Sequence, residues 1–329
     1  MNEKPGMLLS IVTPAFNEET NLPLFHGQLK AALDPIGAEW EWIVVDDHSP
    51  DGTWATLREL AAREPRLKAV RLARNSGSHT ALACGLQQAR GDCAVVLAAD
   101  LQDPPETLPA LLEKWRAGAK IVWAVREGRE GESAATKGFA RLYYGIMRRF
   151  VGISEMPATG ADFFLLDRRV IDVLNVFKEA NVSLLALLTW MGFRQDRIFY
   201  VKQARQHGRS GWNLEKKLKL VVDSITSFTY KPIRFMSYAG FIVAFLGFLY
   251  ALVVIGYRLV FQTQVPGYPS LIVTMLVIGG LQMIMLGVLG EYVWRALDEA
   301  RNRPRFIIED TIGLTGPKPP SCASHGTAL

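Results

Sequence analysis

Asp100 and Gln102, in the stretch Ala98-Ala99-Asp100-Leu101-Gln102-Asp103-Pro104-Pro105-Glu106, place a carboxylate and an amide oxygen directly after the apolar run Ala94 to Ala98. The run reads as a buried strand. Hard oxygen donors at the carboxyl end of such a strand can hold a divalent cation against a phosphorylated ligand in an open α/β sheet. The plainer alternative is a polar turn closed by Pro104-Pro105, with the acids capping a helix that starts near Glu106. Comparable residues follow other apolar runs: Asn17 and Glu18, Asp46 and Asp47, Arg74 and Asn75. A carboxylate at Asp46 or Asp47 can accept from a base's ring N–H or from ribose hydroxyls, donors that a nucleotide offers and a phosphate does not. Asp51-Gly52-Thr53 reads instead as a tight turn into a helix N-cap. No GxGxxG follows the first apolar run, which argues against a dinucleotide cofactor of the usual kind.

These residues need a frame that brings strand ends together. Apolar, β-rich runs at 8–13, 42–46, 67–72, 93–98 and 121–125 predict strands, and amphipathic stretches at 19–33, 53–63, 79–90 and 106–117 predict helices. Such alternation implies an α/β fold, a mostly parallel sheet with helices on both faces and right-handed crossovers.

Charge is spread evenly as far as about Arg234 and then nearly vanishes. Phe235 to Tyr257 is 23 residues without a charge, and the stretch to Gly290 holds a second uncharged run. Each is long enough for a bilayer-crossing helix of ~20 residues, so spans are expected at 235–257 and 269–290, with buried core helices as the alternative. Neither is a signal peptide, because both lie near the carboxyl end and Met1 to Met7 has no apolar core. Lys216, Lys217, Lys219, Lys231 and Arg234 precede the first run, Arg295, Arg301, Arg303 and Arg305 follow the second, and only Arg258 lies between. The positive-inside rule makes this a hairpin with the amino-terminal portion and the tail both cytoplasmic. The division expected is an α/β domain at 1–210, a juxtamembrane region at 211–234, a helical pair at 235–295 and a tail at 296–329. In the juxtamembrane region Leu214, Leu218, Val221, Val222, Ile225 and Phe228 recur at helical spacing among lysines, a pattern for an interfacial helix. Glu291 is expected at the cytoplasmic interface with Trp294 and Arg295. The stretch beyond Leu314 reads as disordered. The net charge of +5, clustered near the spans, points to lipid headgroups and phosphates, with no nucleic-acid motif. Cys84, Cys93 and Cys322 show no paired spacing and fit a reducing compartment, the first two as small core residues.

The strings TPAFNEE (13–19), VDDHSPDGT (45–53), ARNSGSHTAL (73–82) and AADLQDPPE (98–106), in this order and spacing, resemble the GT-A, Rossmann-like glycosyltransferases of family 2. The two carboxyl-terminal spans narrow the resemblance to the polyprenyl-phosphate glycosyltransferases, which include bacterial glucosyltransferases, aminoarabinose transferases and dolichyl-phosphate mannose synthases. It continues through VREGREGES, TGADFFLLDRR, RQHGRSGWN, SITSFTYKPIR and GEYVWRALDEARNRP, nearly the whole chain. The resemblance implies that Pro14, Phe16, Glu18 and Asp46 line the nucleotide's base and ribose, and that Asp100 and Gln102 hold Mg2+ or Mn2+. It puts Arg126 and Arg129 on phosphates, with Lys137 either helping or a solvated surface lysine, and Arg205 and Ser210 over the diphosphate. Asp162 matches the family's catalytic base position. Two positions depart from the family: Ala98 stands where the metal motif usually begins with aspartate, and Phe164 where arginine often follows Asp-Phe.

The chemistry implied is transfer of a hexose from a nucleotide sugar, UDP-glucose as the branch's choice, to undecaprenyl or another polyprenyl phosphate at the bacterial inner membrane. The phosphate monoester acceptor, with a second pKa of about 6, is mostly a dianion near neutrality and needs little general-base help. Asp162 can therefore orient the sugar or stabilise positive charge at the anomeric carbon as readily as remove a proton. Other donor sugars stay open, as does homo-oligomerisation through the spans. Two rivals remain: a processive polysaccharide synthase, which would typically carry a QxxRW helix and more spans, and a membrane scaffold without activity, suggested by Ala98 and Phe164.

Overall fold

We describe the protein from a computed structural model that defines residues 6–126, 163–177, 179, 183–203, 229, 231–261 and 267–314. Its centre is an eight-stranded sheet of order β7-β5-β6-β4-β1-β2-β3-β8. The strands are β1 (Leu8–Ala15), β2 (Glu39–Asp46), β3 (Leu67–Leu72), β4 (Cys93–Val96), β5 (Ile121–Arg126), β6 (Phe164–Asp167), β7 (Gln195–Tyr200) and β8 (Ile308–Ile312). β6 and β8 run against their neighbours and the other strands run one way. The mostly parallel sheet expected from the alternation is present, and the strand order changes direction at β1, between β4 and β2.

Helices α1 (Asn21–Leu33), α2 (Thr53–Arg63), α3 (Ser78–Gln88) and α4 (Leu108–Arg116) lie close to their expected positions. α5 (Arg168–Val176) and α6 (Leu184–Trp190) are further short helices. The differences at element ends have local causes. α1 starts two residues late because the Glu18 carbonyl already accepts the Asn21 and Leu22 N–H groups. β4 stops at Val96 rather than Ala98: Leu97 gives a last N–H to Val12 O, and the chain then turns. A 3₁₀ turn at Pro105–Thr107 takes up Glu106 ahead of α4.

Side-chain alternation divides the core into two layers. Leu9, Ile11, Trp42, Val44 and Val95 face one way, with Phe25, Leu29 and Leu57 of α1 and α2 and Leu111 of α4. Val12, Ile43, Val45, Ala94 and Val96 face the other, with Leu86 of α3, Ile171 of α5 and Leu188 of α6. Cys84 and Cys93 are buried free thiols, as expected, and burial pushes the Cys84 thiol up to about 12.

Helices α7 (Lys231–Phe261) and α8 (Tyr268–Ala300) follow, both long and apolar enough to cross a membrane. At 1.5 Å per residue each exceeds the ~30 Å hydrocarbon core. Their apolar side chains are exposed, as in Phe241, Phe248, Ile255, Met283 and Leu286, which is not the behaviour of core helices. α8 runs ten residues past the expected end at Gly290, with Arg295 paired to Glu291 at 3.1 Å and the Tyr292 hydroxyl donating to Thr229 O at the foot of α7. The expected interfacial helix and the stretch beyond Leu314 lie outside the described residues.

The chain then returns to the sheet. β8, from a stretch that composition marks only as a tail, pairs antiparallel with β3, and Ala73 donates its N–H to Ile307 O. Phe306, Ile308 and Leu314 pack on one core layer and Ile312 on the other.

Helix α3 approaches the sheet closely at Gly85, where an added Cβ would stand 2.4 Å from Val12 Cγ1 and 3.1 Å from Val45 Cγ2. Gly85→Ala should therefore cost about 1–3 kcal/mol through overpacking. A lowered melting temperature of the detergent-solubilised protein is the expected readout, and an unchanged one would show that α3 lifts from the sheet at no cost.

Candidate active site at the carboxyl edge of the sheet

The loops after β1, β2 and β4 meet at the edge where the strand order switches direction. Each of them turns through a non-glycine residue with positive φ: Asn17 at 60°, His48 at 58° and Leu101 at 59°. Such backbone is costly outside glycine and is found where surrounding contacts over-determine it.

The first two loops are bonded to one another. Asn17 donates its N–H to Ser49 Oγ at 3.0 Å, and Glu18 its N–H to Thr53 Oγ1 at 2.9 Å. Thr53 in turn donates to Asp51 Oδ1, which is the expected turn at Asp51-Gly52-Thr53. Together they form a shelf that presents Phe16, 43% exposed, beside half-buried Pro14 and Glu18. The Glu18 carboxylate accepts from Asn21 Nδ2 at 2.6 Å.

Asp46 lies beneath this shelf, fully buried. Its Oδ1 accepts the Ser49 N–H at 2.9 Å, while Oδ2 stands 3.7 Å from Arg71 Nε and has no hydrogen-bond partner among the described residues. Burial raises its pKa against the lowering by Ser49 and Arg71. The expectation that Asp47 also serves a nucleotide needs correction. Its two oxygens accept the Ser76 and Gly77 N–H groups, each at 2.7 Å, so the side chain pins the turn that opens α3.

In the loop after β4, Leu101 sinks into the core while Asp100 and Gln102 on either side stay half-buried. Asp100 Oδ1 accepts the Gln102 N–H at 3.3 Å. Among the described residues no group of three or more His, Cys, Asp or Glu side chains could hold a metal. One carboxylate and one amide suit a Mg2+-type ion that takes its remaining oxygens from a diphosphate and water. Ala98, half-buried, adds no donor to this set.

Arg126 ends β5 in register with Tyr200 at the end of β7, and both are buried. Asp103 of the β4 loop, 1% exposed, reaches them. Its Oδ1 accepts the Tyr200 hydroxyl at 2.5 Å and lies 3.6 Å from Lys202 Nζ. Burial raises the Asp103 pKa, opposed by Lys202, Tyr200 and Arg126, and burial with the nearby Asp103 carboxylate pushes the Tyr200 phenol up. Gln203 adds a backbone bond to Gln102 O at 2.9 Å, so the end of β7 is fastened along the loop that carries Asp100 and Gln102.

Pro14, Phe16, Glu18, Asp46, Asp100, Gln102 and Arg126 thus lie at the ends of strands or in the loops that leave one edge of the sheet. Asp162, Arg129, Lys137, Arg205 and Ser210 fall outside the described residues. Asp103, Tyr200 and Lys202 were not singled out by sequence, because their partners lie about a hundred residues apart. The apolar run Ile198 to Val201 was the available sequence signal, and the structure buries Ile198 and Tyr200 while Phe199 and Val201 stay exposed. Phe164 is a core residue, tilted against Trp123 at 5.4 Å and paired with Val96, so arginine there would put an unmatched charge in the core.

The sequence pattern of glycosyl transferase family 2 matches residues 10–174. The uncharacterized glycosyltransferase YkcC of Bacillus subtilis is 38% identical over 93% of this chain and 94% of its own. An SfII prophage-derived bactoprenol glucosyl transferase of Shigella flexneri is 36% identical over 92% of this chain and 98% of its own. Among solved structures, mannosyl-3-phosphoglycerate synthase from Rubrobacter xylanophilus aligns with 69% of this chain and 74% of its own, at 16% identity and a TM-score of 0.49.

Removing the Tyr200 hydroxyl leaves a buried carboxylate one donor short. Tyr200→Phe should destabilise the protein by about 1–3 kcal/mol, read in its melting temperature. No change would mean that Lys202 and Arg126 satisfy Asp103 without it.

Proposed function

The chain belongs to glycosyl transferase family 2, and on that premise we propose that it transfers a hexose, glucose as first choice, from a UDP-sugar to a polyprenyl phosphate. The observation that carries this reading is the meeting of Asp100, Gln102, Arg126 and the Phe16 shelf at one sheet edge, in a chain that continues into two exposed apolar helices. Relatives named bactoprenol glucosyl transferase, aligned over 92% of the chain, support the lipid acceptor and the choice of glucose.

In this reading Pro14, Phe16 and Glu18 line the nucleoside, and Asp46 holds their shelf from below. Asp100 and Gln102 hold Mg2+ or Mn2+, which when bound offsets negative charge growing on the departing diphosphate. Arg126 and Arg129 bind phosphate oxygens as planar donors, and Arg205 and Ser210 close over the diphosphate. The acceptor's phosphate oxygen attacks the anomeric carbon from the face opposite the leaving group. The new C–O bond forms as the bond to the diphosphate breaks, through an oxocarbenium-like state that Asp162 stabilises or orients. Inversion gives a β-linked polyprenyl-phosphate sugar from an α-linked donor, with UDP released.

The hairpin of α7 and α8 keeps the site within reach of a headgroup phosphate, on the cytoplasmic face of a bacterial inner membrane. The basic residues flanking both helices support that orientation. The division into a catalytic portion, a juxtamembrane region and a helical pair follows the same logic, with β8 added to the catalytic sheet.

The test is purified protein with Mn2+, radiolabelled nucleotide sugars and undecaprenyl phosphate. A single-sugar lipid is expected, strongest from UDP-glucose and lost on chelation. No labelled lipid from any donor would overturn the proposal, and a growing polymer would favour a processive synthase. Asp100→Ala should cut the rate by ~10²-fold or more, since it removes the carboxylate assigned to the metal. Near-normal transfer by that variant would refute the assignment.

A further inference from the structure

Glu309 lies on β8, more than two hundred residues beyond the shelf in sequence, yet it touches the shelf's support. Its Oε2 stands 3.0 Å from Arg71 Nε and 3.3 Å from His48 Nδ1. Arg71 is the group that also faces Asp46 Oδ2 at 3.7 Å and reaches the Ser49 carbonyl through Nη2 at 3.4 Å. His48 Nδ1 lies 3.0 Å from Leu72 O, at the end of the strand that β8 pairs with. One carboxylate from the returning chain therefore meets both the Arg71 guanidinium and the His48 imidazole beside the Asp46–Ser49 turn.

The distances indicate a division of one guanidinium between two acids. Arginine's planar fork can bind a carboxylate through two parallel hydrogen bonds. Here Asp46 does not receive that pairing: Arg71 Nε is nearer Glu309, and Asp46 Oδ2 stays beyond hydrogen-bond distance. With Glu309 uncharged, the Coulomb balance draws Arg71 toward Asp46. Asp46 and the Ser49 turn that it holds would then shift, and with them the Asn17 contact to Ser49 that supports the nucleoside side of the shelf.

We propose that Glu309 is a positioning residue for the donor nucleotide, acting through Arg71 on Asp46 and the Ser49 turn, so that the segment after the second apolar helix is part of the nucleotide site. The proposal deepens the reading above and rests on its assignment of the shelf to the nucleoside. It assigns Glu309 no contact with substrate.

The experiment measures UDP binding by calorimetry on the full-length protein in detergent, with donor and lipid kinetics, for Glu309→Gln, Asp310→Asn and Asp46→Asn. Asp310 is the control. It sits next to Glu309 on β8, opposite Arg71 in the ladder, and its side chain pairs with Arg58 at 2.9 Å, so its variant removes a salt bridge from the same strand and leaves the Glu309–Arg71 pair in place. Glu309→Gln should weaken UDP binding about three- to ten-fold and raise the donor KM to match, with kcat and the lipid KM retained. Adding Arg71→Gln to Glu309→Gln should give less than the product of the two single effects, because both act through one contact. Asp310→Asn should bind UDP as the parent does. Equal losses in Glu309→Gln and Asp310→Asn would reduce the effect to strand loosening and overturn the proposal. Parent-like binding by Glu309→Gln while Asp46→Asn is impaired would overturn it and leave the shelf reading intact. Parent-like binding by both, and by Phe16→Ala, would overturn the shelf reading as well.

Discussion

Parallel strands that finish on one edge leave backbone N–H and carbonyl groups that no ladder can satisfy, and in this fold those groups are satisfied by neighbouring loops. Asn17 and Glu18 give their N–H groups to hydroxyls of the β2 loop, Asp47 gives its N–H to Ala15 O, and the Asp47 carboxylate takes two N–H groups from the turn before α3. Each loop is thereby fixed by the next one across the sheet. The bond from the Asn17 N–H to Ser49 Oγ shows how a non-glycine residue holds positive φ there: the cost is offset by a contact that depends on that backbone.

Buried acids do much of this holding. Asp46, Asp47 and Asp103 are each at most 4% exposed, and burial raises all three pKa values against the hydrogen bonds and cations that oppose it. An acid in such a place is costly unless it is well served by donors, so each marks a point where position is held at the expense of stability. Asp47 serves two backbone groups, and Asp103 serves Tyr200 and Lys202. Asp46 and Asp103 each keep one oxygen without a hydrogen bond from the described residues, and Asp46 is the one directly beneath the shelf.

How much of this could be read in the sequence depended on how local the cause was. The strands from Leu8 to Arg126 announce themselves because strands buried on both faces are nearly continuous apolar runs, and the loops after them carry the chemistry because parallel strands share an edge. Asp47 is ambiguous for the same reason. A carboxylate after a strand looks alike whether it meets a nucleotide or a backbone turn, and only Ser76 and Gly77, some thirty residues on, decide it. Tyr200 and Asp103 meet through sheet order, which no spacing encodes. β8 was hidden most completely: Ile308-Glu309-Asp310-Thr311-Ile312 is short and acidic in a stretch that composition assigns to a tail, and its strand character comes from Arg58 and Arg71 on the surface it joins. Phe164 could be seen as a departure from the family, but its place against Trp123 shows why a charge is not tolerated there.

The position of β8 in the chain also sets an order of assembly. Synthesis runs from the amino end, so the strand that completes the sheet emerges after α7 and α8, the helices fit to enter a bilayer. Until then β3 is an open edge, a row of backbone groups ready to pair with any extended chain, and Arg58 and Arg71 on and beside it lack the acids that β8 brings. The two cations discourage a basic or apolar strand from taking the place and favour an acidic one. Completion of the sheet is thus tied to a segment that is available only once the helical pair has been made, and the nascent chain acquires this edge strand after both long apolar helices have been synthesised.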